Sequence, residues 1–131
     1  VRWLLRGTVN PAYLRHRAEI IGILDQRKYP YWWLEAQISE GKIALLHNDT
    51  AIIGVERRTY PGGYEELHGM FAAGAMDGIL ELIDEAVAAA EITGLDGASI
   101  ASVPAWGRVL KSRGFVPHQL TITKELAHGS Q

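Results

Sequence analysis

Glu66 and His68 stand two residues apart in the stretch Glu65-Glu66-Leu67-His68-Gly69-Met70-Phe71. On an extended strand, residues two apart share a face, so this carboxylate and imidazole point the same way and Glu65 points the other. An imidazole titrates near neutrality and can take the proton of an attacking group, while a neighbouring carboxylate holds it in place. The pair suits proton transfer, with His68 as general base and Glu66 as its orienting partner. The plainer reading is a polar pair on a half-exposed strand. Other chemistries are narrowed by what the chain lacks. It has no cysteine, which removes disulfides, thiolate nucleophiles and cysteine metal sites. His16, His47, His118 and His128 show no metal-ligand spacing, so no metal is expected.

The elements that must position this pair follow from local patterns. Val1–Arg6 suits a short first strand. Asn10-Pro11 reads as an N-cap followed by proline at the first helical position. Tyr13, Leu14, Ala18, Ile21 and Leu24 recur at helical spacing, which predicts a helix to about Gln26. Pro30 opens a second helix that Gly41 closes. Trp32-Trp33, on that helix, reads as surface plus core packing. Lys42–His47 and Thr50–Arg57 are aliphatic strands, with Asn48-Asp49 as the turn between them. Pro61-Gly62-Gly63 makes the next turn. Glu66–Ala72 is a further strand, in which Gly69 marks a bulge or a close backbone approach.

A long helix then runs from a cap at Asp77 to Gly94, with an apolar stripe of Ile79, Leu80, Leu82, Ile83, Ala86, Val87 and Ala90. Ala98–Ser102 is a short strand, Pro104–Ser112 a short helix closed by Gly114, and His118–Glu125 alternates as a last strand with one wet face. The order β-α-α-β-β-β-α-β-α-β, with a hairpin in its middle, predicts an α+β fold with a mixed central sheet flanked by helices. The strand–helix–strand from Glu66 to Ser102 should make its two strands parallel neighbours.

Composition sets the outer limits. The chain has 131 residues, 47% hydrophobic and 21% charged, which suits one domain over residues 1–126 followed by a disordered tail at 127–131. A net charge of −2 with scattered basic residues gives no footprint for nucleic acid. No apolar run approaches the roughly 18 residues of a membrane span, and the N-terminus is too short and too charged for a signal peptide, so a cytoplasmic location is expected.

The element order, together with the stretch Val109-Leu110-Lys111-Ser112-Arg113-Gly114-Phe115-Val116-Pro117 and the later Thr123-Lys124-Glu125-Leu126, resembles the GNAT-type N-acetyltransferases. Members of that family often end their fourth helix in a glycine-phenylalanine pair and finish in a Lys-Glu-Leu-like strand. The resemblance is specific from Glu66 to Leu126 and rests on element order before that. Tyr64-Glu65-Glu66-Leu67-His68-Gly69-Met70-Phe71 further resembles a subgroup found in phage and bacterial genomes.

The resemblance implies acetyl-CoA as cofactor and an amine, on a small molecule or a peptide, as acceptor. The pantetheine arm would lie along Gly69, Met70, Phe71 and Ala72. The pyrophosphate would sit on the loop and helix start at Gly74, Ala75, Met76, Asp77 and Gly78, where free amides and the helix dipole favour anions. Glu66 and His68 would deprotonate the acceptor amine. Two positions depart from the family pattern. The loop has no basic residue and carries Asp77, a like charge that at about 4 Å from a phosphate costs on the order of 4 kcal/mol at an effective dielectric of 20. The place of the family's usual acid, a tyrosine on the fourth helix, matches Leu110. The resemblance thus implies an acetyl-CoA-dependent N-acetyltransferase. The alternative is a relative that has lost catalysis and serves as a structural or interaction protein, such as a phage virion component, with a homo-oligomer or an assembly partner.

Overall fold

A computed structural model describes residues 10–101, 104–119 and 121–127. The element order is α1 (Pro11–Ile23), α2 (Tyr31–Ser39), β1 (Ala44–His47), β2 (Ala51–Thr59), β3 (Glu65–Gly74), α3 (Met76–Ile92), β4 (Gly97–Ile100) and α4 (Pro104–Lys111). The expected strand at Val1–Arg6 lies outside the described residues. The chain divides after Ala101 into two compact units.

The first unit is built on a four-stranded sheet in the order β1-β2-β3-β4. β1–β2 and β2–β3 are antiparallel, and β3–β4 is parallel, as the strand–helix–strand reading required. Asn10 caps α1 by accepting from the amides of Ala12 and Tyr13, with Pro11 at the first helical position. Pro30 starts α2, and Gly41 ends it at φ +78°. The β1–β2 turn centres on Asp49-Thr50, one residue later than expected. Its cause is Asn48, whose side chain accepts from the amides of Thr50 and Ala51 while its own N–H donates to the Ala51 carbonyl.

Alternation along the strands gives the sheet two apolar faces. Ile52, Phe71 and Ala73 pack with Ala12, Tyr13 and Ile20 of α1 and with Leu34 and Ile38 of α2. Ala51, Ile53 and Val55 are buried on the alternate side. There α3, which packs along β2 and β3, presents its buried stripe of Ile79, Leu82, Ile83, Ala86 and Ala90. A bulge interrupts the β2–β3 ladder. Gly54 pairs with Phe71 and Val55 with Gly69, so Met70 has no opposite residue. The extra residue switches parity along β3. Glu66 and His68 therefore share a face with Phe71 and Ala73, instead of with Met70 and Ala72.

Asp77 does not cap α3. Ala75 is the N-cap residue, the helix begins at Met76, and Asp77 lies in the first turn without a capping bond. The small residues leave β3 and α3 joined by Ala75 alone, so the helix starts two residues earlier than a cap at Asp77 would require.

In the second unit, α4 ends where Gly114 takes φ +84° and the amides of Arg113 and Phe115 return to the Leu110 carbonyl. The expected strand at His118–Glu125 does not form among the described residues: 115–119 and 121–127 carry no regular structure. Val116, Ile122 and Leu126 are exposed there. Alternation alone does not make a strand, because a strand's backbone groups need a paired neighbour. No helix among the described residues is long and apolar enough to cross a membrane.

Candidate active site

β3 runs for ten residues, but β4 accompanies it for only four. The parallel pairing covers Glu66↔Gly97, Leu67↔Ala98, His68↔Ser99 and Gly69↔Ile100, and stops there. From Met70 to Gly74 the β4-side edge of β3 has no strand partner among the described residues. Among the described residues, β4 pairs with β3 up to Gly69 and no strand continues beside β3 on that side beyond this point.

The polar cluster sits in the paired stretch, near its last pair. Glu66 and His68 are both buried, 8% and 7% exposed, which is unusual for ionisable side chains and calls for partners. They have them. The Ser99 hydroxyl is 2.6 Å from Glu66 Oε2 and 2.7 Å from His68 Nδ1. The Tyr60 hydroxyl donates to the same carboxylate oxygen at 2.9 Å. Cross-strand register brings Glu56 opposite His68 and Arg58 opposite Glu66, and Arg58 Nε donates to Glu56 at 2.9 Å. The far side of the Arg58 guanidinium lies 4.0 Å from the Met70 sulfur. The two residues singled out in the sequence are thus brought together, as parts of a larger set drawn from β2, β3 and β4.

The electrostatics follow from this packing. Burial, aided by the positive charge of Arg58, pushes the His68 pKa below the usual histidine value against the pull of Glu56 and Glu66. Burial pushes Glu66 upward, but the hydrogen bonds from Ser99 and Tyr60 and the charges of His68 and Arg58 outweigh it, so the carboxyl stays below its usual range. At neutral pH the cluster holds an ionised carboxylate and a neutral imidazole. Among the described residues, His16 Nε2 is the only fully occluded side-chain nitrogen or oxygen without a partner. Among the described residues the His68 ring is bonded through Nδ1, which leaves Nε2 as the ring nitrogen without a hydrogen bond.

Just beyond the end of β3 lies the start of α3. Its first helical bond runs from the Ile79 amide to the Ala75 carbonyl, so the amides of Met76, Asp77 and Gly78 precede the helical ladder. The Ala75 amide donates to the Thr50 carbonyl at 3.0 Å, and Asn48 Nδ2 donates to the Gly78 carbonyl at 3.0 Å. A Cβ at Gly78 would overlap Thr50 Oγ1, and one at Gly74, where φ is +105°, would overlap the Thr50 carbonyl. Both glycines are thus required by close packing against the β1–β2 turn. The Gly74 amide donates to Glu19 Oε2 of α1 at 3.2 Å. A carboxylate therefore does sit on an amide at this end, but it belongs to Glu19 and not to Asp77.

The expected pantetheine residues fall into two groups. Gly69 is the last position paired with β4, while Met70, Phe71 and Ala72 line the unpaired edge. Phe71 turns its ring into the α1–α2 core, across Gly54. Trp33 is half-buried against that core and Trp32 is 65% exposed. Sequence reasoning missed Ser99, Glu56 and Arg58. Glu56 was within reach, since it lies on the expected strand Thr50–Arg57, and Arg58 is the next residue beyond that strand. Ser99 becomes visible only through the parallel register of β4 on β3.

No protein-family model matches the chain, and no curated protein matches its sequence. Solved structures do resemble it. An acetyltransferase from Trypanosoma brucei superposes with a TM-score of 0.63 at 12% identity, over 90% of this chain and 96% of that one. A predicted acetyltransferase from Clostridium acetobutylicum, crystallised with acetyl-CoA, gives 0.58 at 12% identity over 95% and 89%. A ribosomal-protein-alanine N-acetyltransferase from Brucella melitensis biovar Abortus gives 0.56 at 14% identity over 87% and 95%. The likeness spans both chains nearly end to end, and the fold of this protein is that of the GNAT-type acetyltransferases.

Proposed function

We propose that the protein transfers an acetyl group from acetyl-CoA to an amine, with His68 as the general base. The observation that carries this reading is the position of the Glu66–Ser99–His68 cluster, one residue below the point where β3 and β4 stop pairing. The β4-side edge of β3 beyond Gly69, without a strand partner among the described residues, would offer its backbone to a pantetheine arm, and the base stands beside the start of that edge.

The residues present fit that cofactor in part. The free edge from Met70 to Ala72 would hold the arm, and the amides of Met76, Asp77 and Gly78 would face the pyrophosphate. Glu19 and the Asp77 side chain oppose the phosphate charge there. Bound acetyl-CoA supplies the activated thioester carbonyl. The chain supplies the rest. His68, neutral at pH 7, accepts the proton of the acceptor amine through Nε2. Glu66 stays ionised and stabilises the imidazolium that forms. A backbone amide of the unpaired edge would stabilise the charge that develops on the carbonyl oxygen.

The test is a melting curve with and without acetyl-CoA. A ligand at 100 times its dissociation constant adds about 2.7 kcal/mol to stability. A clear rise in melting temperature supports the reading, and no rise at millimolar acetyl-CoA overturns it. The Glu19 contact favours one second reading, a fold that has given up catalysis, for which no rise is the expected result.

A further inference from the structure

We infer that Ser99 acts as a positioning residue that fixes the tautomer of His68, holding the proton on Nδ1 and the lone pair on Nε2. This deepens the proposed function at the same site, and its consequence for catalysis rests on that reading.

Counting protons assigns the roles. Ser99 has one hydroxyl proton, and its oxygen lies within hydrogen-bond distance of two groups, Glu66 Oε2 at 2.6 Å and His68 Nδ1 at 2.7 Å. An ionised carboxylate only accepts. The Glu66 oxygen already takes the Tyr60 proton, and it offers Ser99 nothing in return. The Ser99 proton therefore goes to Glu66, and the second contact can be a hydrogen bond only if His68 Nδ1 carries a proton and gives it to the Ser99 oxygen. With the other tautomer, two acceptors would face one proton in a buried site, and one contact would fail.

The chain of donors thus runs from His68 through Ser99 to Glu66, across two strands. Its effect appears at the far side of the ring, where Nε2 is left as the bare nitrogen. That is the nitrogen that would take the proton of an incoming amine. Neither Glu66 nor Ser99 needs to touch the substrate.

The tautomer can be read directly. Long-range proton–nitrogen NMR on the full chain, labelled with nitrogen-15, distinguishes a protonated ring nitrogen from a bare one, with His68→Gln assigning the signals. At pH 7.5 and without acetyl-CoA, the wild-type His68 should show a protonated Nδ1 and a bare Nε2. Ser99→Ala should move the ring toward the Nε2-protonated form, and Ser99→Thr should restore the wild-type pattern. In acetylation assays, Ser99→Ala should lower kcat by about tenfold or more with the KM for acetyl-CoA unchanged, because wrong-tautomer variants lose turnover. A wild-type ring protonated at Nε2 would overturn the inference, as would a Ser99→Ala ring that keeps its proton on Nδ1. The NMR readout does not depend on acetyl transfer, so an inactive wild-type protein would defeat the proposed function and leave the tautomer assignment standing.

Discussion

At the scale of single residues, the protein places two ionisable groups in a nearly dry position and makes each depend on the other. His68 is neutral because burial and Arg58 disfavour its charge, and Glu66 is ionised because Ser99 and Tyr60 donate to it. Both folded-state values lie below the ordinary ones, which sets the sign of a pH effect. The unfolded chain binds these protons more readily than the folded one, so stability is full above the unfolded values and falls as the solution is acidified. For His68 the loss begins near its ordinary value of about 6.5 and continues as pH drops through the lower folded value. Glu66 adds to it further down, below about 4.5. Urea midpoints at pH 7.5 and 5.5 should therefore separate more for the wild-type protein than for His68→Gln. Equal separations would show that the His68 ring carries no such proton penalty.

Elements position the cluster through three local devices. The unpaired Met70 switches parity, so that one face of β3 carries polar residues at its start and core residues at its end. Gly54 makes room opposite, and the Phe71 ring lies across it. Gly54→Ala should force that ring aside and cost about 1–3 kcal/mol by overpacking, measured as a lower urea midpoint. Asn48 ties the β1–β2 turn to the first turn of α3. Asn48→Ala should cost a similar amount, roughly 1–3 kcal/mol, by leaving part-buried backbone groups without partners.

Much at this scale was legible in the residues. The caps at Asn10 and Pro30, the stop at Gly41, the paired strands and the apolar stripe of α3 all depend on neighbours close in sequence. What escaped was non-local. Ser99 sits in a strand too short to have a pattern, and its partner is 31 residues away. The alternation at His118–Glu125 promised a strand that does not form among the described residues, and the cap assigned to Asp77 failed because the backbone turned into the helix two residues earlier.

For the molecule as a whole, the stretch of β3 that β4 does not accompany and the start of α3 lie next to each other in the first unit. Glu19, from α1, reaches the Gly74 amide at the phosphate end. Its side chain is half exposed, so solvent screens its charge and the effect on binding is modest. Glu19→Gln should tighten CoA by up to about fivefold. Acetyl-pantetheine, which lacks the pyrophosphate, should bind both forms alike. Titration calorimetry with the two ligands checks this, and an equal change for both would place Glu19 away from the phosphates.

The most direct measurement is amine-dependent release of CoA from acetyl-CoA, followed with a thiol reagent across a panel of small and peptide amines, for the wild-type protein and His68→Gln. A general base contributes about 10²- to 10⁴-fold to rate. The expected result is CoA release by the wild-type protein with at least one amine, and a drop of at least about a hundredfold in the variant, which should still bind acetyl-CoA. Equal rates from the two proteins, or no release from the wild-type protein with any amine, would contradict the role given to His68 and the unaccompanied edge of β3 beside it.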